Sequence, residues 1–117
     1  MSYLTDFFKL ASDETRFRII MLLAQEELCV CEICGILDLT QPKVSKHLSK
    51  LRDTRFVVDE RRERFIFYSL NIQDEAIRRF VNSIIEHIDE YQQLSKDSKS
   101  LTDKDVYLSR CQTKLQD

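Results

Sequence analysis

Residues 27–52 read Glu27-Leu28-Cys29-Val30-Cys31-Glu32-Ile33-Cys34-Gly35-Ile36-Leu37-Asp38-Leu39-Thr40-Gln41-Pro42-Lys43-Val44-Ser45-Lys46-His47-Leu48-Ser49-Lys50-Leu51-Arg52. Two short apolar-patterned segments, one ending near Leu37 and one starting near Gln41, are separated by a few residues, as in a helix-turn-helix. The first carries thiols and the second carries cations. Thr40 is placed to cap the second helix, and Pro42 is tolerated in its first turn because the amides there lack intrahelical acceptors. From there Val44, Leu48 and Leu51 lie at i, i+4 and i+7, while Lys43, Lys46, His47 and Lys50 occupy the other side. A helix docked on a core and lying in a major groove requires that separation. Gly35 sits inside the first helix at some cost to helicity.

Upstream, Leu4, Phe7, Phe8 and Ala11 fall at helical spacing over residues 3–11. Ser12 reads as an N-cap, with Asp13 and Glu14 complementing the dipole of a second helix over Asp13 to Ala24. Phe17, Ile20, Met21, Leu23 and Ala24 make that helix apolar around most of its circumference, so it belongs at the centre of the core.

Downstream, Phe56-Val57-Val58 and Phe65-Ile66-Phe67-Tyr68-Ser69-Leu70 are rich in β-branched and aromatic residues and read as the strands of a hairpin. The tip, Asp59 to Arg64, lacks Gly and Asn, which favours a longer, mobile loop over a two-residue turn. A basic hairpin directly after a helix-turn-helix reads as a wing, with Arg61, Arg62 and Arg64 toward the phosphate backbone, although such a run also suits an exposed turn kept soluble by charge.

From Asn71 or Asp74 a long helix is expected, carrying Ile77, Phe80, Val81, Ile84, Ile85, Ile88, Tyr91 and Leu94. Its stripe is wider than one small domain needs. Leu4, Phe7, Phe8, Ile77, Phe80, Ile84, Ile88 and Tyr91 are therefore assigned to a dimer interface, with packing on the chain's own core as the alternative. Beyond Ser95, Lys-Asp-Ser-Lys-Ser is polar and linker-like, followed by a weak helix with Tyr107, Cys111 and Leu115 four apart or by a disordered end. The organisation expected is one domain over residues 1–95 and a polar tail over 96–117.

The 117 residues suffice for one compact domain, and 43% hydrophobic with 32% charged residues is ordinary for a globular chain. No apolar run approaches the roughly 18 residues that cross a bilayer, and the N-terminus shows no secretory pattern, so the expected location is cytoplasmic, with no membrane partner. A net charge of −2 excludes a uniformly basic coat, so nucleic-acid binding requires cations gathered on one face.

Cys29-x-Cys31-x-x-Cys34 concentrates three of the chain's four cysteines. In a reducing compartment such a cluster signals metal binding or thiol chemistry. Three thiolates without a nearby His suit trivalent arsenic or antimony better than tetrahedral zinc, which wants a fourth ligand. Closeness to a helix N-terminus is expected to lower the thiol pKa values. In a regular helix Cys29 and Cys31 would point about 160° apart, and Cys29 and Cys34 would lie about 7.5 Å apart along the axis. Unless the first two precede the helix, capture of one ion by all three unwinds its first turn. A redox reading stays open, because Cys31-x-x-Cys34 has thioredoxin-like spacing, but no βαβ pattern surrounds it. His47, among lysines, reads as a phosphate or base contact.

The run Glu27 to Cys34, followed by Gln41-Pro42-Lys43-Val44-Ser45-Lys46-His47-Leu48, resembles arsenic-responsive repressors of the ArsR/SmtB family, with the likeness covering residues 3 to about 95. The resemblance implies a mainly α, homodimeric winged helix-turn-helix protein with a small β-hairpin. It would have no enzymatic activity or organic cofactor and would bind double-stranded operator DNA until As(III) or Sb(III) releases it. It carries the metalloid site onto Cys29, Cys31 and Cys34. Groove contacts are assigned to Gln41, Lys43, Ser45, Lys46 and His47, and phosphate contacts to Lys50, Arg61, Arg62 and Arg64. Cadmium- or lead-responsive repression on the same fold is the alternative, beside a thiol redox switch or oxidoreductase using Cys31 and Cys34. Zinc-sensing relatives use Asp and His pairs on the last helix; Asp74, Glu86, His87, Asp89 and Glu90 do not match them, and no such site is assigned.

Overall fold

The computed structural model describes residues 2–109. Helices α1 (Ser2–Ala11) and α2 (Glu14–Gln25) lead through a two-residue strand, β1 (Leu28–Cys29), into α3 (Val30–Leu37) and α4 (Gln41–Asp53). Strands β2 (Val57–Arg62) and β3 (Phe65–Leu70) form the hairpin, and α5 (Glu75–Glu86) and α6 (Gln92–Lys99) follow it. The sheet has the order β1-β3-β2 and is antiparallel throughout. This is a mainly helical winged helix-turn-helix.

α2 is the hub, as its apolar circumference requires: Ile19, Ile20, Met21, Leu22 and Leu23 are all buried. Phe7 of α1, Ile33 of α3, Val44, Leu48 and Leu51 of α4, Phe56 and Ile77 join them in one cluster. Burying each such large apolar side chain is worth about 1.5–3 kcal/mol, so the α4 stripe alone anchors that helix firmly. Phe56 is fixed by a tilted ring contact with Tyr3 and an edge contact with Phe7, with ring centroids 4.8 and 5.6 Å away.

The local chemistry departs from expectation in several places. The α2 cap is Asp13, whose Oδ1 accepts the Arg16 amide at 3.0 Å, while the Ser12 hydroxyl donates back to the Lys9 carbonyl at the end of α1. Thr40 occupies the cap position of α4 without a side-chain cap bond. The hairpin tip is not a long loop. Pairing continues to Arg62 opposite Phe65, and Glu63, at φ 57°, makes the left-handed step with Arg64 in a two-residue turn. A non-glycine there carries some strain, held by the continuous ladder on both sides.

The long C-terminal helix is broken. α5 stops at Glu86, a 3₁₀ turn spans Ile88–Glu90, and Tyr91 is extended at φ −117° and ψ 104°, which sends α6 back across α2. Two buried groups account for the break. Leu94 enters the core, and Asp97, 3% exposed, receives Arg18 Nε at 2.8 Å and Nη2 at 2.9 Å. A straight continuation of α5 would carry both away from α2. The stretch read as linker-like is therefore ordered and packed, continuing through a 3₁₀ turn at Ser100–Asp103 into helical residues 104–109. Cys111 and Leu115 lie outside the described residues.

Candidate thiol switch and DNA-reading face

Cys29 is the pivot of two elements. It is the last residue of β1, paired with Phe67 of β3; it is the N-cap of α3, extended at φ −91° and ψ 168°; and it is only 1% exposed. The cap is a box in which sulfur replaces the usual hydroxyl. The Glu32 amide donates to Cys29 Sγ, and the Glu32 carboxylate, itself buried, accepts the Cys29 amide at 3.0 Å. Burial pushes the Cys29 thiol up to about 11, and the charge and hydrogen bond of the Glu32 carboxylate act in the same direction. The lowering expected from the helix terminus is overridden at this residue, because removal from water penalises the thiolate more than the terminus favours it.

Cys31 and Cys34, both half-buried, stand in the first and second turns of α3. Their i, i+3 spacing puts them on one helical face. Sequence spacing left open whether the first two thiols precede the helix. Cys29 does and Cys31 does not. Among the described residues no group of three or more His, Cys, Asp or Glu is arranged to hold an ion as it stands. A soft three-sulfur donor set is present in chemical type, but Cys29 and Cys34 are free thiols whereas Cys31 is disulfide-bonded in this structure, so gathering the set around one ion requires Cys31 to be reduced and Cys29 to leave its cap.

α4 presents the opposite surface. Gln41, Lys43, Lys46 and Lys50 are exposed, and Ser45 and His47 are half-buried. His47 is turned partly inward. Its Nδ1 lies 3.3 Å from Arg16 Nη1, and since a guanidinium only donates, Nδ1 is the acceptor and the ring is neutral with its proton on Nε2. Burial lowers the His47 pKa, which agrees with a neutral ring. His47 thus offers a neutral Nε2–H donor and no cation. Arg16, which the sequence did not single out, props the imidazole from α2 and donates through Nε to the Leu10 carbonyl at 2.8 Å.

On the wing, Arg61 and Arg64 are exposed. Arg62 is engaged instead: it pairs with Glu27 through both guanidinium ends, with Glu60 at 3.0 Å, and stacks over the Phe67 ring at 5.1 Å. Glu27 stands two residues before Cys29, and Phe67 is its strand partner. The wing cation is therefore tied to the thiol strand from both sides. Neither Glu27 nor Glu32 was singled out from the sequence, although the three-residue spacing of Cys29 and Glu32 is that of a capping box.

The aromatic face assigned to dimerisation divides. Phe7 and Ile77 are consumed by the chain's own core at 0% and 1% exposure, which removes them from any interface surface. Phe8 and Phe80, exposed and edge-on at 5.8 Å, and Tyr91 remain outside, flanked by half-buried Leu4, Ile84 and Ile88.

A buried apolar stripe under a basic reading helix, followed by a two-stranded wing, defines a winged helix-turn-helix DNA-binding regulator. Residues 13–58 match the bacterial regulatory protein, arsR family. The arsenical resistance operon repressor of Escherichia coli is 37% identical over 116 residues, covering 86% of this chain and 98% of that protein. The chain belongs to the arsR family. An arsenic resistance transcriptional regulator of Pseudomonas putida is 45% identical over 65 residues, 55% of this chain and 51% of its own length. A cadmium resistance transcriptional regulatory protein of Listeria innocua is 38% identical over 63 residues, 53% of each. Among solved structures, reduced HlyU of Vibrio cholerae superposes with a TM-score of 0.65 at 25% identity, covering 71% of this chain and 85% of that one. These relatives are transcriptional regulators rather than enzymes. No helix among the described residues is long and apolar enough to cross a membrane.

Proposed function

We propose that the protein is a homodimeric, metalloid-responsive repressor that holds operator DNA in its ion-free form and releases it when As(III) or Sb(III) is bound by Cys29, Cys31 and Cys34. The reading rests on one observation above others: Cys29 caps the helix that precedes the reading helix and also pairs with a strand of the wing. The names of the E. coli and P. putida relatives point to the same ion class.

Once a thiol reductant has returned Cys31 to the thiol, each of the three thiols forms an As–S bond with arsenite and displaces one hydroxyl, whose oxygen takes the thiol proton and leaves as water. Three bonds form, three waters depart, and arsenic stays trivalent. Cys29 gives up the sulfur cap to do this, which disturbs the first turn of α3 and the β1–β3 pairing together. α3 joins α4 through only Asp38–Thr40, so the reading helix and the wing are moved by one event. The exposed aromatic patch of Phe8, Phe80 and Tyr91 supplies the two-fold contact. Each dimer must place its reading helices about 34 Å apart, so a modest tilt in each protomer spoils simultaneous docking.

The contacts proposed for the groove are Gln41, Lys43, Ser45, Lys46 and the Nε2–H of His47. Lys50, Arg61 and Arg64 take phosphate, joined by Arg62 when Glu27 yields it. The cadmium resistance regulatory relative favours a second reading, in which the same thiols serve a divalent soft ion. Fluorescence anisotropy of the dimer on a duplex selected in vitro by this protein separates the two. Arsenite and antimonite should release the duplex at concentrations where cadmium and lead leave it bound. Release by cadmium or lead alone would transfer the function to the second reading, and loss of binding on mild oxidation without any ion would make the site a redox switch.

A further inference from the structure

Gly35 is the only glycine in the chain, and it lies in the middle of α3, where it weakens the helix. The fold supplies a reason. A Cβ at this position would meet Cδ1 and Cγ of Tyr107 at 2.2 Å, so the tyrosine ring lies directly on the bare helix backbone. The 104–109 segment also reaches the other end of the thiol stretch, where Lys104 Nζ pairs with Glu26 Oε2 at 2.8 Å. Glu26 precedes Cys29 by three residues and Gly35 follows Cys34 by one. One turn of C-terminal helix therefore braces the thiol-bearing stretch on both flanks. The brace is anchored in turn by the buried Arg18–Asp97 pair, by Leu101 in the core and by the Ser98 hydroxyl, which donates to Gln25 Oε1 at 2.7 Å.

We propose that residues 104–109 are a strap that holds α3 in its helical, ion-free form and so sets the concentration of inducer at which the protein lets go. This deepens the metalloid reading and rests on it. Gathering three sulfurs requires the stretch between Glu26 and Gly35 to change shape, and the strap's contacts favour the shape that precedes capture. A state favoured by such contacts raises the apparent threshold for any ion that binds the other state.

The test compares full-length wild type with Tyr107→Ala, Lys104→Gln and Val106→Ala. The last removes an exposed side chain of the same segment and serves as the control. In operator-release titrations Tyr107→Ala should reach half-release at roughly three- to tenfold less arsenite, and Lys104→Gln should move in the same direction by less. Val106→Ala should match wild type, and operator affinity without arsenite should be unchanged in all. A response that is unmoved or weakened in Tyr107→Ala overturns the strap. Amide hydrogen exchange across residues 30–37 of the ion-free protein gives a readout independent of the inducer. It should quicken in Tyr107→Ala, and exchange equal to wild type overturns the strap even if arsenite proves not to be the inducer. Failure of arsenite to release wild type, with quickened exchange in the variant, would count against the metalloid reading and leave the strap standing.

Discussion

α3 and α4 are joined by three residues, yet they are held in place by different means. α4 is fixed by a stripe of Val44, Leu48 and Leu51 that nothing small can displace, and its other face is open. α3 buries Ile33, Ile36 and Leu37 as well, but its N-terminus is secured by a sulfur cap and a buried carboxylate, and its middle by an overlying tyrosine. Apolar burial is an all-or-none attachment, whereas a cap or a ring contact can be exchanged for another bond. On the proposed reading α4 is therefore the element that stays rigid, and α3 the one that lets go at its N-terminus while Ile36 and Leu37 remain docked.

The largest expected effect breaks that shared docking. Ile33→Ala, at a site with no exposure, should lower unfolding free energy by about 2–5 kcal/mol in urea titrations, while Lys43→Ala on the open face should leave stability nearly unchanged. Comparable losses in both would mean that α4 owes its place to its polar face. On the DNA side, Lys50→Ala should flatten the slope of log K against log salt by about one unit. A slope equal to that of wild type would strike Lys50 from the phosphate contacts.

A smaller effect sharpens the link between thiol strand and wing. Exposed ion pairs contribute little, so Glu27→Gln, which frees Arg62 for phosphate, should tighten operator binding by no more than about fivefold and steepen the salt slope. Weaker binding would show that the pair positions the wing instead of restraining it.

The smallest effect concerns His47. Its folded pKa is lowered by burial, so the unfolded chain takes up a proton first, and the neutral ring's contribution to stability is present above the ordinary value of 6.5 and lost as pH falls below it. His87, raised by its bond to the Ser83 carbonyl, acts in the opposite sense. The comparison is therefore wild type against His47→Asn, with urea midpoints at about pH 7.5 and 5.5. His47→Asn should lose less stability on acidification, and parallel losses would contradict the buried neutral ring.

What the sequence revealed follows the same division. The helix-turn-helix was legible because its signals are local: apolar periodicity, a short turn, and lysines opposite leucines. The thiol trio was visible as a cluster of soft donors. Its mechanical setting was not, since a two-residue strand has no periodicity and the pairing of Cys29 with Phe67 spans distant parts of the chain. The cap escaped notice because cysteine stands where serine or threonine is usual. The break after α5 has neither Pro nor Gly to announce it; it is enforced by Asp97, which reads as one more solvated charge until Arg18, 79 residues away, is seen beside it. Gly35 read as a cost, and its reason lies in Tyr107.

The proposed loss of sulfur from the start of α3 on release from DNA is put to the sharpest trial by arsenite titration of the operator-bound dimer, wild type beside Cys31→Ser. The account predicts equal operator affinity for the two without arsenite, full release of wild type, and retention of the duplex by the variant. Release of Cys31→Ser at the concentration that releases wild type would contradict it.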